Sequence, residues 1–229
     1  MAVPVVLLPL AAVLGVAVGS SLGAVVRRLP SGATLAPAIT RRHRVARAGT
    51  GAGFVVMTAV VGTSWALPAV LYLTAAAVAL ALIDLDLHRL PDAIVLPSYP
   101  VLAVLLALAS WNPGGGSDWG ALPRAGAGCA GLLALYLAAA SLSPTGMGLG
   151  DVKLSGVLGM VLAWFGWGQL AVGASAAFGL GGLFSVALLL AGRAGRTSGI
   201  PFGPWMLLGA SAGIAVGQPV AGWYLGLLG

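Results

Sequence analysis

Apolar runs of about 20 residues, each closed by charge, glycine or proline, recur along the whole chain and predict a succession of membrane-length helices. They fall near residues 3–27, 48–64, 67–85, 93–110, 121–141, 152–166, 168–192 and 202–226. The stretch from Gly51 to Ile83 holds 33 residues with little interruption. As one helix it would measure about 50 Å against a hydrocarbon core of about 30 Å, so it divides at Trp65-Ala66-Leu67-Pro68. The same reasoning divides the later stretch at Gly166-Trp167-Gly168 and leaves a short sixth helix. The expected fold is all-α: a polytopic membrane protein of about eight transmembrane helices with its N-terminus outside.

Charge tests that topology. Eight spans starting outside put the loops 28–47, 86–92, 142–151 and 193–201 in the cytoplasm. Ten of the 11 basic residues lie in or beside those loops, with Arg124 the exception, as the positive-inside rule requires. Trp65, Trp111, Trp119, Trp164, Trp167 and Trp223 fall at the opposite helix ends, and Trp205 alone lies near the inner face. Arg27 and Arg28 follow the first apolar stretch and no positive region precedes it, which predicts a first span and not a signal peptide.

Composition agrees. Of 229 residues 59% are hydrophobic and 7% charged, more apolar surface than a soluble domain can hide. The net charge of +6 is explained by cytoplasmic loops facing anionic lipid, and no basic, aromatic-interleaved surface points to nucleic acid. The single cysteine, Cys129, excludes an internal disulfide and a cysteine-pair zinc site.

The acidic residues carry the chemistry. The chain has no Glu and five Asp, and four of these occur in two segments, Asp84-Leu85-Asp86 with Pro91-Asp92, and Gly148-Leu149-Gly150-Asp151-Val152-Lys153. The topology puts both segments at the cytoplasmic face, and an ionisable residue at a span is a functional candidate by default. Two adjoining carboxylates can divide one proton: the ionised one activates water and the protonated one hydrogen-bonds the scissile carbonyl. Asp84 and Asp151 are the candidate catalytic pair. Asp84 stands at a helix C-terminus and Asp151 at an N-terminus, which favours the negative charge on Asp151. Gly148 and Gly150 are candidates for shaping the loop, through close backbone approach and unusual dihedrals. Asp86, Asp92 and Lys153 are secondary candidates. Asp86 points elsewhere on the helix than Asp84, Asp92 is placed to cap the fourth helix, and Lys153 is either a membrane anchor or an electrostatic influence on the pair. His88 is within reach of Asp84 if the helix continues. Asp118 belongs to an outer loop.

These residues resemble the type IV prepilin peptidase family of Gly-x-Gly-Asp intramembrane aspartyl proteases. Asp84, Pro91 and Asp92 are similar to its first motif, and Gly148-Leu149-Gly150-Asp151 with Lys153 to its second. Gly19 to Pro30 is similar to the first-helix signature, with Ser21 and Gly23 where Phe and Asn are usual, and Ile200-Pro201-Phe202-Gly203-Pro204 to the segment opening the last span. The resemblance implies one membrane-embedded peptidase domain over 1–229, with a reduced N-terminal region at 1–47 and the peptidase core at 48–229. It implies cleavage of prepilin or pseudopilin leaders at the cytoplasmic face of the inner membrane, for pilus assembly or type II secretion, with prepilin precursors and lipid as partners. Bifunctional members carry paired Cys-x-x-Cys motifs, thought to hold zinc, and methylate the new N-terminus with S-adenosylmethionine. The short loop from Leu29 to Arg47 has no cysteine, so no metal or other cofactor is expected, and S-adenosylmethionine enters only if methyl transfer is retained. Presenilin-like proteases share Gly-x-Gly-Asp, but Ile83 replaces the Tyr that precedes their first Asp, and no Pro-Ala-Leu triplet occurs. A small proton-coupled transporter would account for intramembrane Asp residues, yet neither internal repeats nor midplane charges are visible.

Overall fold

A computed structural model describes residues 6–26, 38–142, 147–192 and 201–227, without the side chains of 22–26 and 38–43. The described residues form eight helices: α1 (Leu7–Val26), α2 (Ala38–Val61), α3 (Leu67–Leu87), α4 (Asp92–Trp111), α5 (Ala121–Leu142), α6 (Leu149–Phe165), α7 (Trp167–Leu190) and α8 (Gly203–Gly226). The protein is an all-α membrane protein, and α3, α4, α5 and α7 are each long and apolar enough to cross a bilayer. Arg27, Arg28, Arg193, Arg196, Gly146 and Ile200, which the sequence placed in cytoplasmic loops or motifs, lie outside the described residues.

One boundary departs well beyond a turn from the sequence reading. The loop expected over 28–47 is helical from Ala38 onward, so α2 begins ten residues before the apolar run. Hydropathy ends where arginines begin, but backbone hydrogen bonding does not, because Arg and Ala are good helix formers. Arg44 and Arg47 are exposed there.

Consecutive helices pack as close antiparallel pairs wherever glycine removes a side chain from the seam. A Cβ on Gly15 would lie 2.8 Å from the Thr50 carbonyl oxygen, which brings α1 against α2. In the α5/α6 pair a Cβ on Gly128 would lie 2.6 Å from the Gly159 oxygen, and in the α7/α8 pair one on Gly209 would lie 2.6 Å from the Gly173 oxygen. Such small-residue seams replace the hydrophobic drive that lipid cannot supply between helices. The centre of the molecule is α6. Val152 and every residue from Leu154 to Ala163 are buried, and the helix packs against α4, α5, α7 and α8. An apolar helix can face either protein or lipid, and the burial of α6 shows that protein surrounds it.

At one end of the bundle the α3 C-terminus meets the N-termini of α4, α6 and α8. At the other end the indoles of Trp65 and Trp164 donate to the Pro113 carbonyl (3.1 Å) and the Ser110 hydroxyl (2.9 Å), and Trp111, Trp119 and Trp167 are exposed.

Candidate active site

Asp84 occupies the last turn of α3 and is 4% exposed. The helix stops four residues later, where His88 takes a left-handed conformation (φ 50°) and donates its N–H to the Asp84 carbonyl at 2.9 Å. Left-handed termination is a standard way to satisfy terminal carbonyls, although glycine is the usual residue. It directs the chain through Leu90 and Pro91 into α4, and it makes His88 an exposed helix end in place of a further turn of α3.

The side chain of Asp84 is held by a distant segment. The backbone N–H of Gly203, the first residue of α8, donates to Asp84 Oδ2 at 3.1 Å. A Cβ at position 203 would lie 2.8 Å from that oxygen and 3.3 Å from Leu90 Cδ2, so the contact needs glycine for space. The α8 N-terminus therefore offers its positive dipole end to a carboxylate that its own helix would disfavour.

Asp151 is the third residue of α6 and half-buried. Its Oδ2 accepts the N–H of Gly148, the N-cap, at 3.2 Å, which is one half of a capping box. Gly148 has φ −77° and ψ 149°, open to any residue, and a Cβ there would meet Asp151 Oδ2 at 3.5 Å, an ordinary contact. The unusual dihedrals expected of these glycines are thus not found: Gly148 is extended and Gly150 is helical, with no positive φ at either. The close approach is found at Gly150, where a Cβ would stand 3.0 Å from Leu90 Cβ.

Leu90 consequently touches both halves of the site, packing on Gly203 of α8 and Gly150 of α6, and Asp151 lies within electrostatic reach of Asp84. Two carboxylates, 67 positions apart in sequence, are brought to one end of the bundle, each accepting a helix-terminal N–H. Beside them Tyr136 of α5, 2% exposed, feels the Asp151 charge, and its ring packs on Phe178 (centroids 5.0 Å apart) and Phe202 (6.2 Å). Gly203, Leu90 and Tyr136 were not singled out from sequence as site residues. Only the similarity of 200–204 to a family segment signalled one of them.

The secondary candidates separate. Asp86 is half-buried, two positions further along α3 and on a different face from Asp84. Asp92 is not the cap of α4: Pro91 is, and it makes no side-chain cap bond. A proline N-cap leaves Asp92 in the first turn, where its carboxylate grips Lys153 Nζ with both oxygens (2.9 and 2.7 Å). Cys129 is a free, half-buried thiol in α5, and among the described residues no three His, Cys, Asp or Glu side chains cluster to hold a metal.

Comparison with known proteins gives a consistent set. The model of the type IV leader peptidase family matches residues 71–216, a range that includes both carboxylates. The chain is 33% identical over 189 residues to a prepilin leader peptidase/N-methyltransferase of Aeromonas salmonicida (strain A449), covering 82% of this chain and 62% of that protein. Proteins of the same name from Aeromonas hydrophila (33% over 162 residues, 70% of this chain and 53% of the relative) and Stutzerimonas stutzeri (30% over 168 residues, 72% and 55%) are similar. The chain thus spans between half and two thirds of the length of these relatives. No solved structure matches it.

Proposed function

The chain belongs to the type IV leader peptidase family, and we propose that it is an aspartic endopeptidase that removes the leader of type IV prepilins or pseudopilins, with Asp84 and Asp151 as the catalytic pair. The observation that carries this reading is the convergence of those two carboxylates from α3 and α6, each anchored by a backbone N–H from a helix N-terminus. Anchoring leaves one oxygen of each side chain free of that bond.

In this mechanism the ionised carboxylate takes a proton from water as the oxygen attacks the scissile carbonyl carbon. The protonated carboxyl donates to the carbonyl oxygen, giving a neutral tetrahedral diol. Its collapse breaks the C–N bond, passes a proton to the leaving amine and returns the pair to one shared proton. The ends of α3 and α6 alone favour the charge on Asp151; because Asp84 receives the α8 N-terminus as well, helix ends do not distinguish the two, and the shared proton belongs to the pair. Gly150 and Gly203 let the N-terminal turns of α6 and α8 close on Leu90 beside the carboxylates without side chains of their own.

The proposal includes eight spans with the N-terminus outside, a site at the cytoplasmic face of the inner membrane, and prepilin precursors and lipid as partners. It includes no nucleic acid, and because the loop from Leu29 to Arg47 offers no cysteine pair, S-adenosylmethionine enters only if methyl transfer is retained. The test is incubation of the enzyme in lipid with prepilin precursors, with the leader and the shortened pilin followed by mass. Wild type releases the leader, while Asp84→Asn and Asp151→Asn insert and bind precursor but do not cleave it, because Asn cannot exchange a proton. Full activity in Asp84→Asn overturns the assignment.

A further inference from the structure

Asp92 and Lys153 belong to the two sequence motifs that contain the aspartates, yet the reaction above gives them nothing to do. Their side chains meet each other. Lys153 Nζ lies 2.9 Å from Asp92 Oδ1 and 2.7 Å from Oδ2, across 61 positions of sequence. Lys153 is the second residue after Asp151, and Asp92 is the eighth after Asp84. The backbone of Lys153 is held from the same helix, since the Tyr99 hydroxyl of α4 donates to the Lys153 carbonyl at 2.6 Å. Gly156 gives Tyr99 room, because a Cβ there would collide with the Tyr99 hydroxyl. Further along, Tyr72 of α3 and Ser98 of α4 share a hydrogen bond of 3.1 Å, so α3, α4 and α6 form one connected path from Asp84 to Asp151.

We propose that the Asp92–Lys153 ion pair is a clasp that sets the separation of the two carboxylates, and that both residues are positioning residues for cleavage and not members of the dyad. This rests on the reading of Asp84 and Asp151 as the catalytic pair. Three physical points favour it over the alternatives. The side chains are 53% and 40% exposed, and an ion pair so open to water adds little to stability, which leaves geometry as its contribution. An ammonium gripped by both oxygens of a carboxylate is also a locally neutralised charge and a weak electrostatic influence on anything else. Finally, the clasp closes a short circuit. The segment Leu85–Pro91, bent by left-handed His88 and wedged by Leu90 against Gly150 and Gly203, is the only covalent link between Asp84 and the clasp, and a single residue, Val152, separates Asp151 from it. Opening the pair frees the first turn of α6, and with it Asp151, to move relative to α3.

The experiment uses the full chain in lipid with a prepilin precursor, comparing Asp92→Ala, Lys153→Ala, the double variant, Lys153→Arg and Asp92→Asn. Misplacing a catalytic group by about 1 Å can cost about a hundredfold, so kcat is expected to fall by about tenfold to a hundredfold in each alanine variant while KM moves by less than about threefold. Two independent losses multiply, but one clasp can be opened only once, so the double variant is expected to be no slower than the slower single. Lys153→Arg, which keeps a bidentate partner, and Asp92→Asn, which keeps one acceptor, retain most of the rate. Both alanine variants unfold at the wild-type midpoint.

A second readout does not depend on cleavage. In a Cys129→Ser background, spin labels on exposed Leu87 (α3) and Leu149 (α6) report one narrow distance in wild type and a broadened one in the alanine variants. Wild-type kcat with an unbroadened distance in both alanine variants, or multiplicative losses in the double, overturns the clasp. Broadening in the alanine variants, with a wild type that cleaves no prepilin, would retain the clasp and overturn the peptidase reading instead.

Discussion

Asp84 is reached by a backbone N–H from α8 only because position 203 has no side chain. Gly203→Ala would put a carbon 2.8 Å from Asp84 Oδ2 and 3.3 Å from Leu90 Cδ2, so the group that must yield is the Asp84 carboxylate itself. Cleavage is expected to fall by about tenfold or more, through displacement of a carboxylate that is itself intact. Gly126→Ala, at a position with nothing within 4 Å, should cleave at the wild-type rate, and equal rates for the two variants in a leader-release assay would dismiss the steric argument. Asp84 and Asp151 were legible because a carboxylate in so apolar a chain is costly and therefore conspicuous. Gly203 was not, since its contribution is a backbone group and 36 glycines give no reason to prefer one. The partnership of Asp92 with Lys153 was hidden for a related reason. Local pattern places an Asp before an apolar run at a helix cap, and only the tertiary packing of α4 on α6 supplies the cation that takes it away.

At the scale of the element, α6 shows why helix existence was easier to read than helix role. Its 17 residues make a rod of about 25 Å, short for a span, and the sequence could not say what compensates. Protein packs around it from Leu154 to Ala163, with Gly156 and Gly159 admitting α4 and α5. Its C-terminal carbonyls are met by a side chain: Arg124 of α5 donates Nε to the Ala163 oxygen at 2.6 Å and Nη2 to the Trp164 oxygen at 2.5 Å. This accounts for the one basic residue that departs from the charge pattern of the sequence, because its guanidinium caps a short helix at the end opposite the carboxylates. Hydrogen bonds to a charged donor contribute about 1.5–3 kcal/mol. Arg124→Ala is therefore expected to lower stability by about 2 kcal/mol, with Arg124→Lys recovering only part of it because one ammonium does not match two carbonyls as a guanidinium fork does. Unfolding of the purified variants in the same mild detergent measures this, and an unchanged midpoint for Arg124→Ala would mean that water serves those carbonyls equally well. The early start of α2 is the converse case, in which apolar runs mark where lipid begins and leave unmarked where the helix does.

For the whole molecule, the decisive relation is between the two ends of the bundle. One end gathers the α3 C-terminus with the N-termini of α4, α6 and α8, where Asp84, Asp92, Asp151 and Lys153 lie. The other carries the indoles of Trp65, Trp111, Trp119, Trp164 and Trp167, as expected of side chains with an apolar body and a polar edge at an interface. By sequence, 10 of 11 basic residues fall in or beside the loops that the proposed topology puts at the cytoplasmic face, which supports the proposal that the carboxylate end faces the cytoplasm. The assignment is testable without any assumption about chemistry. In a Cys129→Ser background, single cysteines at Arg89 and Ser143 are expected to react with a membrane-impermeant maleimide only when the cytoplasmic face is open, and one at Gly115 only from outside. An odd number of crossings between Arg89 and Ser143 would put the last turn of α3 and the first turn of α6 on opposite faces. In that arrangement Gly150 and Gly203 could not both pack on Leu90, and the pairing of Asp84 with Asp151 would fail together with the topology.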